Sequence, residues 1–125
     1  MEPKAKILLV DDDPDILDTM SVVLTSHEYT VITARDGLDG LAKLRTEKPD
    51  LMILDLMMPK MDGLTACHMI KNDPATKSIP VIMVTAIGFE LNVKLSQQMG
   101  ASGYVTKPFS SEDLLGKITQ VLAPV

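Results

Sequence analysis

Four short apolar runs constrain this chain more than anything else in it: Ile7-Leu8-Leu9-Val10, Thr30-Val31-Ile32-Thr33, Leu51-Met52-Ile53-Leu54 and Val81-Ile82-Met83-Val84. They are largely β-branched and none alternates apolar with polar residues at period two. Such a strand has no face to offer water, so it suits the centre of a parallel sheet covered on both sides. A fifth run, Gly103-Tyr104-Val105, is shorter.

The segments between the runs carry helical spacing. Ile16, Leu17, Met20, Val23 and Leu24 form one stripe, and Leu114, Leu115, Ile118, Val121 and Leu122 repeat it near the C-terminus. Asp13-Pro14 is a suitable start for the first of these helices, and Ser110 with Asp113 reads as a capping box before the last. Leu38, Leu41, Ala42 and Leu44 mark another helix starting near Asp36. Leu64, Cys67, Met69 and Ile70 mark a third, ended by Asn72-Asp73-Pro74. Phe89 to Met99 is read as a helix whose apolar residues do not settle on one stripe. Strand and helix alternating five times imply right-handed crossovers and a doubly wound α/β sandwich.

In such sheets ligands bind outside the carboxyl ends of the strands. The first strand runs into Asp11-Asp12, the third into Asp55, the fourth into Thr85-Ala86 and the fifth into Lys107-Pro108. Three carboxylates, a hydroxyl and an ammonium therefore converge on one rim. Carboxylates brought together repel unless a cation or protons intervene, and Mg²⁺ with a few oxygens and several waters suits that arrangement. A carboxylate can also attack phosphorus, with a metal, a fixed lysine and a hydrogen-bond donor stabilising the transferred group. Asp11 and Asp12 are candidates to hold the metal, Asp55 to attack, and Lys107 and Thr85 to grip phosphoryl oxygens.

Several other readings of the same residues fail or weaken. Asp13 and Asp15 are explained by a helix start, where carboxylates favour the dipole. An EF-hand loop opening at Asp11 would need Gly at position 16 and Glu at 22, where Ile16 and Val22 stand. A haloacid-dehalogenase-type phosphatase also opens with Asp-x-Asp after an apolar strand, but its usual Thr or Val two residues beyond is Asp15 here, and that fold is larger. It is the alternative reading. Flavin or nucleotide binding lacks a Gly-rich phosphate loop. Cys67 reads as a small packed hydrophobe, and His27 and His68 as surface residues.

Composition narrows the class further. The 125 residues suit one domain, 1–125, and 46% hydrophobic content is enough for a core, which 3% aromatics makes aliphatic and Met-rich. Twelve basic against 17 acidic residues give a net charge of −5, a poor match to nucleic acid. No apolar run approaches the roughly 20 residues that span a bilayer. Met1-Glu2-Pro3-Lys4 lacks the apolar stretch of a secretory signal and Cys67 is the only cysteine, so a reducing cytoplasm is expected.

Val10-Asp11-Asp12, the segment Leu54-Asp55-Leu56-Met57-Met58-Pro59-Lys60-Met61-Asp62-Gly63, Val84-Thr85-Ala86, and Gly103-Tyr104-Val105-Thr106-Lys107-Pro108-Phe109 together resemble the receiver domain of two-component response regulators. The resemblance covers essentially the whole chain. It implies a flavodoxin-like five-stranded parallel sheet of order 2-1-3-4-5 with five helices. It implies a phosphorelay switch, phosphorylated on Asp55 by a sensor histidine kinase or histidine phosphotransfer protein, that regulates a downstream protein target or a missing output domain. It does not imply turnover of an external substrate.

At matching positions the resemblance assigns Mg²⁺ (or Mn²⁺) to Asp12, Asp55 and the backbone carbonyl of Met57, with Asp11 acting largely through water. Thr85 would swing toward the phosphoryl group, Lys107 would pair with it, and Tyr104 would rotate inward as the readout. The output face would combine the fourth helix, fifth strand and fifth helix. Ser102, Ser111 and an isolated Lys94 there depart from the charged network through which some members dimerise, so a monomer is expected. Met57 and Ile87 flank the phosphoryl position and cannot orient water, which implies slow self-dephosphorylation. The chain reads either as a stand-alone switch or as a piece of a longer regulator.

Overall fold

A computed structural model describes residues 5–55, 63–86, 100–107 and 109–122. In chain order the elements are β1 (Lys6–Val10), α1 (Pro14–Ser26), β2 (Thr30–Ala34), α2 (Gly37–Glu47), β3 (Leu51–Asp55), α3 (Gly63–Lys71), β4 (Val81–Ala86), β5 (Gly103–Lys107) and α4 (Ser111–Leu122). The helix expected over 89–99 lies outside the described residues, so the C-terminal helix carries the label α4.

The strands form one parallel sheet in the order β2-β1-β3-β4-β5, a flavodoxin-like arrangement. Successive side chains of each inner strand go to opposite faces, and both faces are covered. Leu8, Val10, Met52, Leu54, Val81 and Met83 pack with Leu41 and Leu44 of α2 and Ala66, Cys67 and Ile70 of α3. Ile7, Leu9, Leu51, Ile53, Ile82 and Val84 pack with Leu17, Met20 and Leu24 of α1 and Leu114 and Ile118 of α4. Every residue of β3 is buried, which is why its sequence shows no alternation. Gly40 lets α2 approach closely, since a Cβ there would sit 3.0 Å from Val10 Cγ2.

Helix starts follow local chemistry. The Asp13 carboxylate accepts the Asp15 amide at 2.9 Å, with Pro14 in the first turn. Asp36 accepts from the Asp39 amide at 2.8 Å. Before α4, Ser110 Oγ accepts the Asp113 amide at 3.0 Å while the Asp113 carboxylate accepts the Ser110 amide at 3.2 Å, a reciprocal capping box.

The run at Thr30 is not a central strand as its composition suggests. β2 is an edge strand, exposed at Thr30 and only partly buried from Val31 to Thr33; its two threonines, whose hydroxyls tolerate water, are what sets it apart from the other runs. Leu38 and Met69 also depart from the apolar stripes assigned to them, being 56% and 42% exposed.

Candidate functional site

The site forms where β1 and β3 end. Asp11 follows β1, and its amide donates to the Ala34 carbonyl at 3.1 Å, tying the chain to the end of β2 just before it turns into α1. Its side chain turns inward, 3% exposed, and Oδ1 accepts the Asp13 amide at 2.9 Å. Asp12, the next residue, is exposed. Asp55 is the last residue of β3 and 4% exposed. One carboxylate oxygen from each of Asp11, Asp12 and Asp55 lies within 4.8 Å of the others.

Lys107 ends β5 and reaches back across the rim. Its Nζ donates to Asp55 Oδ2 at 3.1 Å and to Asp11 Oδ2 at 3.3 Å, so one ammonium bridges the two buried carboxylates. Burial pushes the Asp11 carboxyl above its ordinary range, and the negative charge of Asp55 adds to this; the Asp13 amide and Lys107 pull the other way without cancelling it. For Lys107, burial alone would lower the pKa, but Asp55 and Asp11 together outweigh it and hold the ammonium above its usual value.

The donor set is hard oxygen only. Among the described residues three carboxylates face one ammonium, an excess of negative charge that matches a divalent cation of the Mg²⁺ or Ca²⁺ type rather than a soft metal. Such an ion would also offset both the burial and the Asp55 charge that hold Asp11 up.

The other predicted residues fall as follows. Thr85 is in β4, in register with Thr106, which puts its backbone at the same rim. Its side chain lies outside what is described, as do Met57, Ile87, Pro108 and Lys94 altogether. Tyr104 lies in register with Met83 and is 38% exposed. Asp13 caps α1 rather than joining the acidic cluster. The sequence gives no sign of a cavity of about 480 Å³ beside the site, lined by Asp15, Ile16, Thr19, Met20, Lys107 and Phe109. Only the one-turn spacing of Ile16 and Met20 on α1 hints at it.

A sequence profile described as the response regulator receiver domain matches residues 7–119. The chain is 42% identical over 117 residues to the DNA-binding dual master transcriptional regulator RpaA of Synechocystis, an alignment covering 94% of this chain and 48% of RpaA. It is 40% identical over 119 residues to protein PilH of Pseudomonas aeruginosa, covering 95% of this chain and 98% of PilH. Thus it spans about half the length of the first relative and nearly all of the second. Among solved structures, the chemotaxis response regulator CheY4 of Vibrio cholerae superposes with a TM-score of 0.89 at 34% identity, covering 94% of this chain and 98% of that one.

Proposed function

The chain belongs to the response regulator receiver domain family, whose members are phosphoryl-accepting signalling switches rather than metabolic enzymes, and from that premise we propose that Asp55 is the acceptor, with residues 1–125 acting as one receiver domain. The observation that carries this reading is the Lys107 ammonium held 3.1 Å from Asp55 in an otherwise acidic, nearly buried pocket. Nothing in the fold or the similarities supports the haloacid-dehalogenase alternative.

An Asp55 carboxylate oxygen attacks the phosphorus of a phosphohistidine, the O–P bond forms as the P–N bond breaks, and the departing imidazole takes up a proton. Lys107 is already at the acceptor, so its charge is available to a phosphoryl oxygen with little rearrangement. Mg²⁺ (or Mn²⁺), held by Asp12, Asp55 and the Met57 carbonyl with Asp11 through water, would offset the charge of the phosphoryl oxygens. Thr85 is assigned the hydroxyl that moves onto the phosphoryl group, and Tyr104, exposed in this state, the aromatic that follows it inward.

The donor is a sensor histidine kinase or a histidine phosphotransfer protein. To reach Asp55 it has to cover the apolar cavity beside Lys107, which offers it Ile16, Met20 and Phe109. The signal leaves through β5 and α4 with the segment before them, to a downstream protein or to an output domain. No helix among the described residues is long and apolar enough to cross a membrane, and we place the protein in the cytoplasm, as a monomer, without direct contact to nucleic acid. Slow loss of the phosphoryl group is assigned to Met57 and Ile87.

The test is labelling with a small phosphodonor and Mg²⁺. The native chain should gain one acid-labile phosphoryl group and Asp55→Asn none. Equal labelling of the variant would remove Asp55 from its role, and multiple turnover of the donor at rates beyond those of a slow self-hydrolysis would restore the phosphatase reading.

A further inference from the structure

The open edge of the sheet carries a hazard and a device against it. β2 is one of the two outermost strands, at the opposite edge from β5. Tyr29-Thr30-Val31-Ile32-Thr33-Ala34 contains no charge, no Pro and no Gly, and is rich in β-branched residues. A six-residue segment of that kind on an exposed edge is a template for another strand. The Thr30 amide donates to the Ala5 carbonyl, and the Ala34 carbonyl accepts the Asp11 amide. Backbone groups alternate in direction along a parallel strand, so Thr30, Ile32 and Ala34 face β1 while Val31 and Thr33 face outward. The outward oxygen of Thr33 is occupied. Lys43 Nζ of α2 donates to it at 2.6 Å, and Asp39, one turn earlier, holds the same ammonium at 3.3 Å.

We propose that Lys43 guards the β2 edge, keeping a second copy of this chain from adding its own β2 there. Two copies joined by a twofold axis would pair their β2 strands antiparallel. The outward residues would then meet as Val31 opposite the partner copy's Thr33, exchanging both backbone bonds, with Ile32 facing Ile32. Half of those bonds need a Thr33 oxygen as acceptor, and each such oxygen already carries an ammonium. The same pairing would bring two Lys43 charges toward the axis. Glu28 and Arg35 bracket the segment, but both lie beyond its ends and neither is on the groups that would pair.

The inference concerns the unphosphorylated chain and stands apart from the role of Asp55. It is tested by sedimentation of the full chain without phosphodonor. Lys43→Met keeps the aliphatic stem and removes the ammonium; its self-association should strengthen by about tenfold or more, since each restored backbone bond adds to the dimer. Lys43→Arg, which retains a donor and a charge, should sediment as the native chain does. Adding Thr33→Pro to Lys43→Met removes an outward amide without touching the β1 ladder and should return the association to the native level. A Lys43→Met chain no more associated than native, or one whose association survives Thr33→Pro, overturns the proposal. Should circular dichroism show Lys43→Met unfolded, Lys43→Leu, which likewise carries neither donor nor charge, is subject to the same two comparisons.

Discussion

Replacing Lys107 by Met leaves the stem of the side chain in place and takes away the ammonium that bridges Asp11 and Asp55. At an effective dielectric of about 20, an ammonium 3.1–3.3 Å from a carboxylate is attracted by about 5 kcal/mol. Carboxylate oxygens within 4.8 Å of one another repel by at least about 3.5 kcal/mol on the same basis. The gross change is therefore large, but the Lys107 side chain is 30% exposed, so water already screens part of it. Removing one partner of a fully buried pair costs about 3–5 kcal/mol, and allowing for that exposure the expected loss is about 2 kcal/mol at pH 7.5 in EDTA. The pH dependence has a definite sign. The Asp11 carboxyl sits above its unfolded value, so the folded state binds more protons in that window and stability falls as pH rises through the folded pKa. Without Lys107 that pKa moves higher still, so the loss should shrink as pH falls and Asp11 takes up its proton. Lys107 itself, raised in the folded state, contributes fully below its unfolded value and is lost only in strong base, so it does not blur this window. Urea unfolding of both chains between pH 5 and 8, with EDTA and then with saturating Mg²⁺, measures it. A loss that is the same at pH 5 and 7.5 would refute the electrostatic account and leave only packing.

Asp12→Ala should abolish Mg²⁺-dependent labelling, whereas Asp13→Ala, which removes the oxygen accepting the Asp15 amide, should leave labelling intact and cost about 1 kcal/mol in unfolding. Ser110→Ala should cost about 1 kcal/mol by urea titration, and the double variant with Asp113→Ala less than the sum of the two, because each side chain caps the other's amide. The native phosphoryl group should decay more slowly than that of a Met57→Asn, Ile87→Glu chain at constant Mg²⁺; equal decay would show that these side chains do not set the lifetime.

Much of the fold could be read from the runs because a strand buried on both faces writes its environment directly into its composition, as β3 does. β2 misled because β-branched residues are as welcome at an edge as in the middle, and only the threonines carried the difference. The rim was legible for a similar reason: a parallel sheet collects strand ends on one side, so Asp11, Asp55 and Lys107 could be grouped from order alone. Which of the adjacent acids turns inward could not, since consecutive residues leaving a strand differ only in direction; the amide of Asp13 on Asp11 decides it. That Lys107 would bridge two carboxylates, rather than face one, depends on the distance between strands that are not neighbours in sequence or in the sheet. The cavity at Ile16 and Phe109 was hidden because it forms where α1 meets the chain at the end of β5, and no local pattern records that meeting.

Among the described residues the sheet separates two sets of packed side chains that share no member. A substitution in one layer therefore relaxes within that layer, and the opposite layer feels it only through the backbone between them. The rim is the exception. Asp11 leaves a strand whose side chains feed both layers, Asp55 ends another, and Lys107 ties both to the far edge of the sheet. A change of charge at that seam pulls on two otherwise insulated compartments at once. Surface drift on either side can accumulate over evolutionary time without detuning the other, while among the described residues Asp11, Asp55 and Lys107 give the two a link through side chains.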